Sequence, residues 1–349
     1  MRKRALFWLV SLVFSMMVTI LCGLAIQFHQ HYRSTPAQYL LGNKPSAVAA
    51  LKEQGFPFSF LVIGDTSGSE TTETLIEMAT RGGEPSFMVI LGDFVRRPDI
   101  WNHRFFLTEM TMEVKPPFPV FLVPGNHDID YTFRKDSPEE RPVTPEVYQS
   151  LYGAGSFDFV FNDCLFILWG VDLERSIDYS SYLRNVLIRK AAGRKHIFVF
   201  VHYPPKELAE YIEGSLPIPK EKELFSLLEN YKVTACFFGD YHGHWRGRRK
   251  GVNLIVSGGG GRLKPSQPEW GKFQHILRVT VEQETFSEEI ITINPQLGLE
   301  DLFEERVFTI LFPIIQNRGW VLYLTFMLLL MMSGLSFVNF LRNFLHSRN

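Results

Sequence analysis

The chain has 349 residues, which is enough for one large domain or two small ones, and its composition is ordinary for a globular protein. Its formal net charge is −1, with 36 basic and 37 acidic side chains. This balance, with no basic stripe along the chain, argues against nucleic acid as a partner.

Two uncharged apolar runs lie near the ends of the chain, at residues 5–28 and 319–341. Each is long enough to cross a bilayer as a helix. The alternative for the first run is a cleaved signal peptide, whose apolar region would be shorter, about 7–15 residues, and would end in a small-residue cleavage site. We therefore predict two transmembrane helices and a partnership with the membrane bilayer.

Basic residues flank each apolar run on the side away from the middle of the chain. They are Arg2, Lys3 and Arg4 before the first run, and Arg342 and Arg348 after the second. Because positively charged flanks stay in the cytoplasm, the tails at residues 1–4 and 342–349 are predicted to be cytoplasmic. Residues of about 30–317 are then predicted to lie outside the cytoplasm, on the periplasmic or exoplasmic side.

Strands and helices alternate in the first half of the region between the two runs. Apolar, β-branched or aromatic segments that stop at glycine predict strands, and amphipathic segments with capping residues predict helices. In chain order these are a short helix at 46–54, a strand at 58–63, a helix at 71–81, a strand at 87–91, a helix at 100–114 and a strand from Val120. This alternation is typical of a parallel α/β sheet.

The second half begins with residues 129–155, which are polar and contain several prolines, and which we expect to form a loop over the sheet edge. The later elements are a hairpin at 157–161 and 164–171, helices at 181–192 and 220–231, and strands at 196–201, 233–238, 253–256, 276–281 and 289–293. The predicted organisation is thus a linker at 29–56, a domain at 57–295 and a juxtamembrane segment at 296–318.

Five of the predicted strands run into polar side chains at their carboxyl ends. These side chains are Asp65, Asp93, the group Asn126, His127 and Asp128, His202, and the pair Asp240 and His242. Taken singly, an aspartate after a strand is usually a turn with a helix cap. Together they indicate a site, because open α/β sheets bind ligands at the carboxyl ends of their strands. Carboxylate, amide and imidazole groups are ligands for divalent metals.

A pair of metal ions performs one reaction especially well. Two ions about 3.5–4 Å apart, bridged by a carboxylate, generate hydroxide near neutral pH, neutralise phosphate oxygens and align phosphorus for in-line attack. The residue types at the strand ends therefore favour hydrolysis of a phosphate ester.

The motifs around these residues resemble those of the calcineurin-like metallophosphoesterases, which include the purple acid phosphatases. In order they are GDTSG, GDFVRRPD, GNHD, VHYPP and GDYHG, followed by the glycine-rich SGGGG. The resemblance covers residues of about 58–293. It implies an α/β (α+β) fold, a four-layer sandwich of two mixed β-sheets flanked by helices, to which this chain adds N- and C-terminal transmembrane helices.

The resemblance also implies a set of metal ligands for two divalent ions. The implied ligands are Asp65 and His242 for the first metal, Asp93 as the bridge, and Asn126, His202 and Asp240 for the second. A shifted alignment of the last motif, with His242 and His244 as the pair, is the alternative.

The same resemblance implies catalytic and substrate-binding residues. His127 would sit beside the phosphate, where it stabilises charge or protonates the leaving group, and Asp128 would orient His127. Arg96 follows the bridging aspartate closely, so that its guanidinium is a candidate for holding a phosphate oxygen.

Three positions depart from the family pattern. Ser67 stands where the first motif usually has histidine, Arg96 stands where purple acid phosphatases supply a tyrosine, and Asp240 stands where histidine is usual. These changes weaken the first metal and make the site richer in oxygen. We therefore expect Mn²⁺, Fe or Mg²⁺ rather than a Zn²⁺ pair, with occupancy by one metal as an alternative to two.

Two functional hypotheses follow. The first is a membrane-anchored phosphoesterase that cleaves phosphate mono- or diesters by attack of a metal-activated hydroxide, with a lipid-linked or envelope substrate favoured by anchoring at both ends. The second is a catalytically degenerate protein of the same fold that serves as a binding or scaffold module. The retained ligands and His127 favour the first.

Overall fold

The structure is a computed structural model. It describes residues 2–33, 40–131, 142–171, 180–206, 218, 221–261, 263–264, 268–293 and 318–345. The chain forms two compact units, one made of residues 1–35 and 297–349 and the other of residues 36–296.

Within the described residues, five strands form the first sheet of the larger unit. They are β1 (Phe58–Ile63), β2 (Met88–Ile90), β3 (Val120–Leu122), β10 (His275–Val281) and β11 (Phe286–Thr292). The spatial order is β11-β10-β1-β2-β3, with β1, β2 and β3 parallel. The register aligns Ile63 with Ile90 and Ile90 with Leu122, so the three parallel strands end at the same level.

The second sheet has six strands in the part of the chain that the structure describes. They are β4 (Phe157–Phe161), β5 (Cys164–Leu168), β6 (Ile197–Val201), β7 (Ala235–Phe238), β8 (His244–Arg249) and β9 (Val252–Ser257). In the order β4-β5-β6-β7-β9-β8, the four inner strands are parallel and the two edge strands are antiparallel to them. Val201 and Phe238 pair at the end of β6 and β7.

The two sheets pack face to face through a layer rich in phenylalanine. Phe60 of β1 stacks on Phe87 at a centroid distance of 5.1 Å and meets Phe166 of β5 edge-on at 5.5 Å. The alternate residues of β1, Leu61 and Ile63, face the opposite side of the sheet and pack with the helices. Burial on both faces explains why these strands read as continuous apolar runs.

Helices cover the outer face of each sheet. On the first sheet lie α3 (Glu70–Arg81), α4 (Ile100–Thr108), which continues as a π-helical turn (Glu109–Val114), and α5 (Pro145–Tyr152). On the second lie α6 (Ser181–Lys190) and α7 (Glu221–Asn230). The order helices, sheet, sheet, helices confirms the predicted four-layer sandwich.

Three local predictions are wrong. The segment 129–155 is not a continuous loop, because α5 lies within it; Thr144 caps this helix through its hydroxyl and Pro145 is its first residue. Residues 132–141 lie outside the described part. The strand β8 was missed because its arginines mask the pattern of an edge strand. The helix α2 (Pro45–Ala49) ends five residues earlier than predicted.

The smaller unit contains two long apolar helices, α1 (Arg2–His31) and α8 (Gly319–Leu345). Both are long and apolar enough to cross a membrane. They pack against each other, with hydroxyl contacts between Ser11 and Ser336 at 3.3 Å and between Ser15 and Ser333 at 3.0 Å. Small polar residues of this kind pair helices in lipid. The predicted juxtamembrane segment, 296–318, falls outside the described residues except for its last position.

Candidate metal centre

Four ligand-type side chains converge where strands of both sheets end. Asp65 follows β1, Asp93 follows β2, His202 follows β6 and Asp240 follows β7. Each residue offers an atom within 4.8 Å of the others, and all four are buried. The strand ends that the sequence predicted to meet therefore do meet, at one edge of the sandwich.

His202 lies at the middle of this cluster. Its Nδ1 donates a hydrogen bond to the Leu91 carbonyl at 2.7 Å. Its Nε2 consequently faces oxygens of three residues, at 3.1 Å from Asn126 Oδ1, 3.4 Å from Asp93 Oδ1 and 3.9 Å from Asp240 Oδ1. A histidine held by its other nitrogen in this way has the tautomer and orientation of a metal ligand.

Asp65 shows why the cluster fits a cation. Both of its carboxylate oxygens are buried and have no hydrogen-bond partner among the described residues. His242 is a ligand-type neighbour, with its Nε2 3.5 Å from Asp65 Oδ1. A buried carboxylate without partners is costly unless it is protonated or binds a positive ion. The residues therefore fit the metal ions that the sequence predicted.

The pKa values of the cluster also indicate a cation-binding site. Burial, together with Asp93 and Asp240, raises the pKa of Asp65 well above its ordinary value, against the opposing charges of His202 and Lys264. Burial by itself lowers the pKa of His202, but the surrounding carboxylates outweigh it and raise this pKa to about 9. The cluster thus holds protons that a bound metal would replace.

The backbone at these positions is strained. The φ angles lie in the left-handed region at 56° for Asp65, 49° for Ser67, 51° for Asp93, 58° for Asp240 and 52° for His242. Such conformations cost free energy in residues other than glycine, and they concentrate at functional sites. The surrounding structure therefore fixes where these side chains point.

Gly258 is a site residue to which the sequence analysis gave no role. It belongs to the glycine-rich segment after β9, and a Cβ there would collide with Asp65 Oδ2. Gly125 is in the same situation beside Asp93 Oδ1. Both glycines are visible in the sequence, in SGGGG and PGN. Only the structure shows why glycine is needed there, because each lies too close to a carboxylate for a Cβ.

His127 lies beside the cluster. Its main-chain N–H donates to Asp93 Oδ1 at 2.9 Å, and its ring Nδ1 donates to the Arg96 carbonyl at 2.9 Å. Its Nε2 lies 3.9 Å from Asp93 Oδ2, and 52% of the side chain is exposed. The ring is therefore about half open to solvent beside the cluster.

Asp128 has a different position from the one expected. Its carboxylate accepts hydrogen bonds from the main-chain N–H groups of Asp93 at 2.8 Å, Gly125 at 2.7 Å and Val95 at 3.2 Å. The expected contact with the ring of His127 is replaced by the Arg96 carbonyl. Asp128 thus fixes the loops that present the other residues rather than the imidazole itself.

His103 was missed by the sequence analysis. It is fully buried in α4, where its Nε2 contacts the Asp128 carbonyl at 3.0 Å and its Nδ1 contacts the Tyr152 hydroxyl at 2.8 Å. Burial lowers its pKa to about 3, so the ring is neutral. No sequence signal separates it from a core histidine.

The two remaining candidate site residues, Arg96 and His244, have different surroundings. The Nε of Arg96 donates to the Ser67 carbonyl at 3.3 Å, next to the cluster. His244 instead donates from Nδ1 to the Val256 carbonyl at 2.9 Å and packs against His275. The geometry therefore favours His242 over His244 as the ligand-type residue beside Asp65.

The four-layer sandwich and the cluster at its strand ends are those of a metallophosphoesterase. A family model described as calcineurin-like phosphoesterase matches residues 58–244. The chain belongs to this family, as its motifs predicted, and the predicted class of hydrolase acting on phosphoester bonds is confirmed at the level of the family. No protein of curated function matches the chain in sequence.

Several solved structures are similar to this chain at low identity. A purple acid phosphatase from yellow lupin (Lupinus luteus) seeds is 15% identical, with a TM-score of 0.51, over 68% of this chain and 52% of that chain. The chain thus spans about half the length of that enzyme. A dimetal phosphatase from Danio rerio is 14% identical (TM-score 0.43, 68% and 99% covered), and GAP50, the anchor in the inner membrane complex of Plasmodium, is 13% identical (TM-score 0.46, 68% and 90% covered). At this identity the lupin structure supports the fold alone.

Proposed function

We propose that this protein is a membrane-anchored, metal-dependent phosphoesterase that hydrolyses phosphate mono- or diesters. The observation that supports it most is Asp65, whose two buried carboxylate oxygens have no hydrogen-bond partner among the described residues and which lies in a cluster with Asp93, His202 and Asp240. A buried carboxylate in that state is costly unless it is protonated or binds a cation, and the residue types around it are metal ligands.

The residues divide into two unequal ligand sets. Asp65 and His242 would hold the first metal, Asp93 would bridge, and three more would hold the second: Asn126, His202 and Asp240. When bound, the metal ions lower the pKa of the attacking water and neutralise phosphate oxygens. The oxygen-rich set favours Mn²⁺, Fe or Mg²⁺ over a Zn²⁺ pair, and its first half is the weaker.

His127 is the residue that acts on the leaving group in this proposal. Its Nδ1–H is occupied by the Arg96 carbonyl, so Nε2 is the atom that can hold or release a proton toward the substrate. For Arg96, contact with a phosphate oxygen through the terminal nitrogens of its guanidinium stays a prediction, one of two alternative roles for this residue. Asp128 supports both by holding the main chain at Asp93, Val95 and Gly125.

The membrane part of the proposal rests on α1 and α8 and on their basic flanks. Both helices would span the bilayer, with both termini in the cytoplasm and the phosphoesterase unit outside it. A unit anchored at each end stays near the bilayer surface. This favours a phosphate ester that is lipid-linked or part of the cell envelope as the substrate.

One observation favours the alternative, a degenerate binding or scaffold module. Ser67, in the place of a metal ligand, directs its hydroxyl at the Asp93 carbonyl at 3.3 Å. Arg96, in the place of another ligand, donates to Ser67. Neither side chain would supplement the first metal, which would therefore have fewer ligands than the second.

A substrate panel separates the two functions. The full chain, purified in detergent, is assayed on phosphomonoesters and phosphodiesters with Mn²⁺, Mg²⁺, Fe²⁺ or Zn²⁺, and Asp93→Asn serves as the inactive control. We expect hydrolysis of at least one ester class that is largest with Mn²⁺, Fe²⁺ or Mg²⁺ and is lost in the control. Folded protein that cleaves no ester with any metal would support the scaffold function.

A further inference from the structure

The second departure from the family pattern, Arg96, contacts both Ser67 and His127. We infer that Arg96 is a positioning residue for His127: its side chain fixes its own peptide against Ser67, and that peptide's carbonyl fixes the imidazole. This inference rests on the proposed function, in which His127 acts on the leaving group, and it gives Arg96 a role that does not require contact with phosphate.

The contact with His127 sets the chemistry of the ring. The Arg96 carbonyl can only accept, so the 2.9 Å contact requires a hydrogen on Nδ1 of His127. In the neutral ring Nε2 is then the basic atom. The main-chain N–H of His127 is held separately by Asp93 Oδ1 at 2.9 Å. One bond therefore fixes the backbone of His127 and the other fixes the rotation of its ring.

The side chain of Arg96 connects this contact to the metal cluster. Its Nε–H donates to the Ser67 carbonyl at 3.3 Å. Ser67 in turn is held by the Asp93 carbonyl, which accepts from its N–H at 2.9 Å and from its hydroxyl at 3.3 Å. The hydrogen bonds thus form a closed circuit that starts at Asp93, passes through Ser67 and Arg96 to His127, and returns to Asp93.

The circuit matters because, within the described part of the chain, the Arg96 carbonyl is the hydrogen-bond partner of the imidazole. His127 is half exposed, and an exposed ring without a partner rotates freely on a fast timescale. Arg96 is half-buried and lies on the loop after β2, where its guanidinium bond limits movement of the peptide. Ser67 and Arg96, which both depart from the family pattern, therefore act together to hold the imidazole of His127.

A double-mutant cycle tests this role. The variants are Arg96→Ala, His127→Ala and both together in the full chain, and Arg97→Ala removes a neighbouring, exposed guanidinium as the matched control. We expect Arg96→Ala to lower kcat ~10-fold on esters with poor leaving groups, about the value of one hydrogen bond to a charged group. The loss should shrink for nitrophenyl esters, and Arg97→Ala should behave as the wild type.

Three readouts distinguish positioning from direct phosphate binding. For positioning, the double variant is no slower than His127→Ala, and neither KM nor the inhibition constant of inorganic phosphate changes in Arg96→Ala. Additive losses together with weaker inhibition by phosphate would overturn the inference in favour of a phosphate contact.

A spectroscopic measurement tests it without turnover. The ¹⁵N shifts of the imidazole, assigned by their absence in His127→Ala, should report the Nδ1–H tautomer in the wild type and a mixture of tautomers in Arg96→Ala. An unchanged tautomer in Arg96→Ala would refute the positioning role. If the wild type hydrolyses no ester, the proposed function fails, and this measurement still decides whether Arg96 positions His127.

Discussion

Replacement of Asp128 tests whether this residue serves the backbone or the imidazole. Its carboxylate is fully buried and accepts hydrogen bonds from three main-chain N–H groups, those of Asp93, Val95 and Gly125. Two of these groups belong to the loop after β2, and the third begins the loop with Asn126 and His127. Loss of the carboxylate therefore disturbs both loops at once.

The hydrogen bonds of Asp128 determine how much stability each variant is expected to lose. Asp128→Ala leaves three buried N–H donors without partners, at a cost of about 1–3 kcal/mol each. The free energy of unfolding of the variant is therefore expected to fall by ~3–9 kcal/mol. Because a domain is stable by only about 5–15 kcal/mol, we expect little folded protein. Asp128→Asn keeps one oxygen, which can still serve Asp93 and Gly125, and places an amide against the N–H of Val95. Its expected loss is about 1–3 kcal/mol.

The assay is chemical unfolding of the metal-free full chain in detergent, followed by tryptophan fluorescence. Asp163→Asn, at an exposed turn of the β4–β5 hairpin, is the matched control and should leave the unfolding free energy unchanged. The reasoning is refuted if Asp128→Asn unfolds like the wild type and loses kcat only on esters with poor leaving groups. That result would mean that Asp128 orients His127 after all.

Three further predictions concern the catalytic residue, the protons of the cluster and the topology. His127→Ala should keep its metal while kcat falls by roughly 10²–10⁴-fold, the usual value of general acid catalysis; loss of metal from this variant would contradict its assignment. Metal binding should release protons, because the pKa of Asp65 is raised by burial and that of His202 is raised to about 9. The metal-free protein should then become less stable as pH rises from about 6.5 to 9. Over the same pH range, the increase in Tm on adding Mn²⁺ should become larger. Calorimetry in buffers of different ionisation enthalpy that shows no proton release on Mn²⁺ binding would refute this. A reporter active only outside the cytoplasm, fused near residue 299, should give a signal, whereas a signal from a cytoplasmic reporter there would overturn the topology.

The fold could be predicted from the sequence where a turn or a helix cap has its own residue pattern. The hairpin at Asn162 and Asp163 formed as predicted, with both residues at positive φ, and the capping aspartate Asp99 accepts from two N–H groups at the start of α4. The helix α5 was missed because its Thr144-Pro145 start lies in a polar, proline-containing stretch that is typical of a loop. The edge strand β8 carries arginines that pair across the surface, Arg246 with Glu288 and Arg249 with Glu229, which no alternation rule captures.

The candidate site was predicted only in part, for a physical reason. Side chains that follow neighbouring parallel strands lie at the same sheet edge, so Asp65 and Asp93 could be placed together from the order of strands. His202 follows β6 of the other sheet, and its place beside them was predicted from the family resemblance. Hydrogen bonds to main-chain atoms far away in the sequence carry no sequence signal, so the partners of Asp128 and the contact of His127 with the Arg96 carbonyl could not be foreseen.

Equilibrium binding of Mn²⁺ tests the central claim, that the strand-end cluster is a catalytic metal centre, most directly. The measurement compares metal content and hydrolysis for the wild type and Asp93→Asn, both purified as folded full chains. We predict that the wild type binds at least one Mn²⁺ tightly and a second more weakly, and that Asp93→Asn loses occupancy and rate together, because Asp93 lies within reach of both ligand sets. A folded wild type that binds no metal, or an Asp93→Asn variant that keeps both its metal and its rate, would contradict the claim.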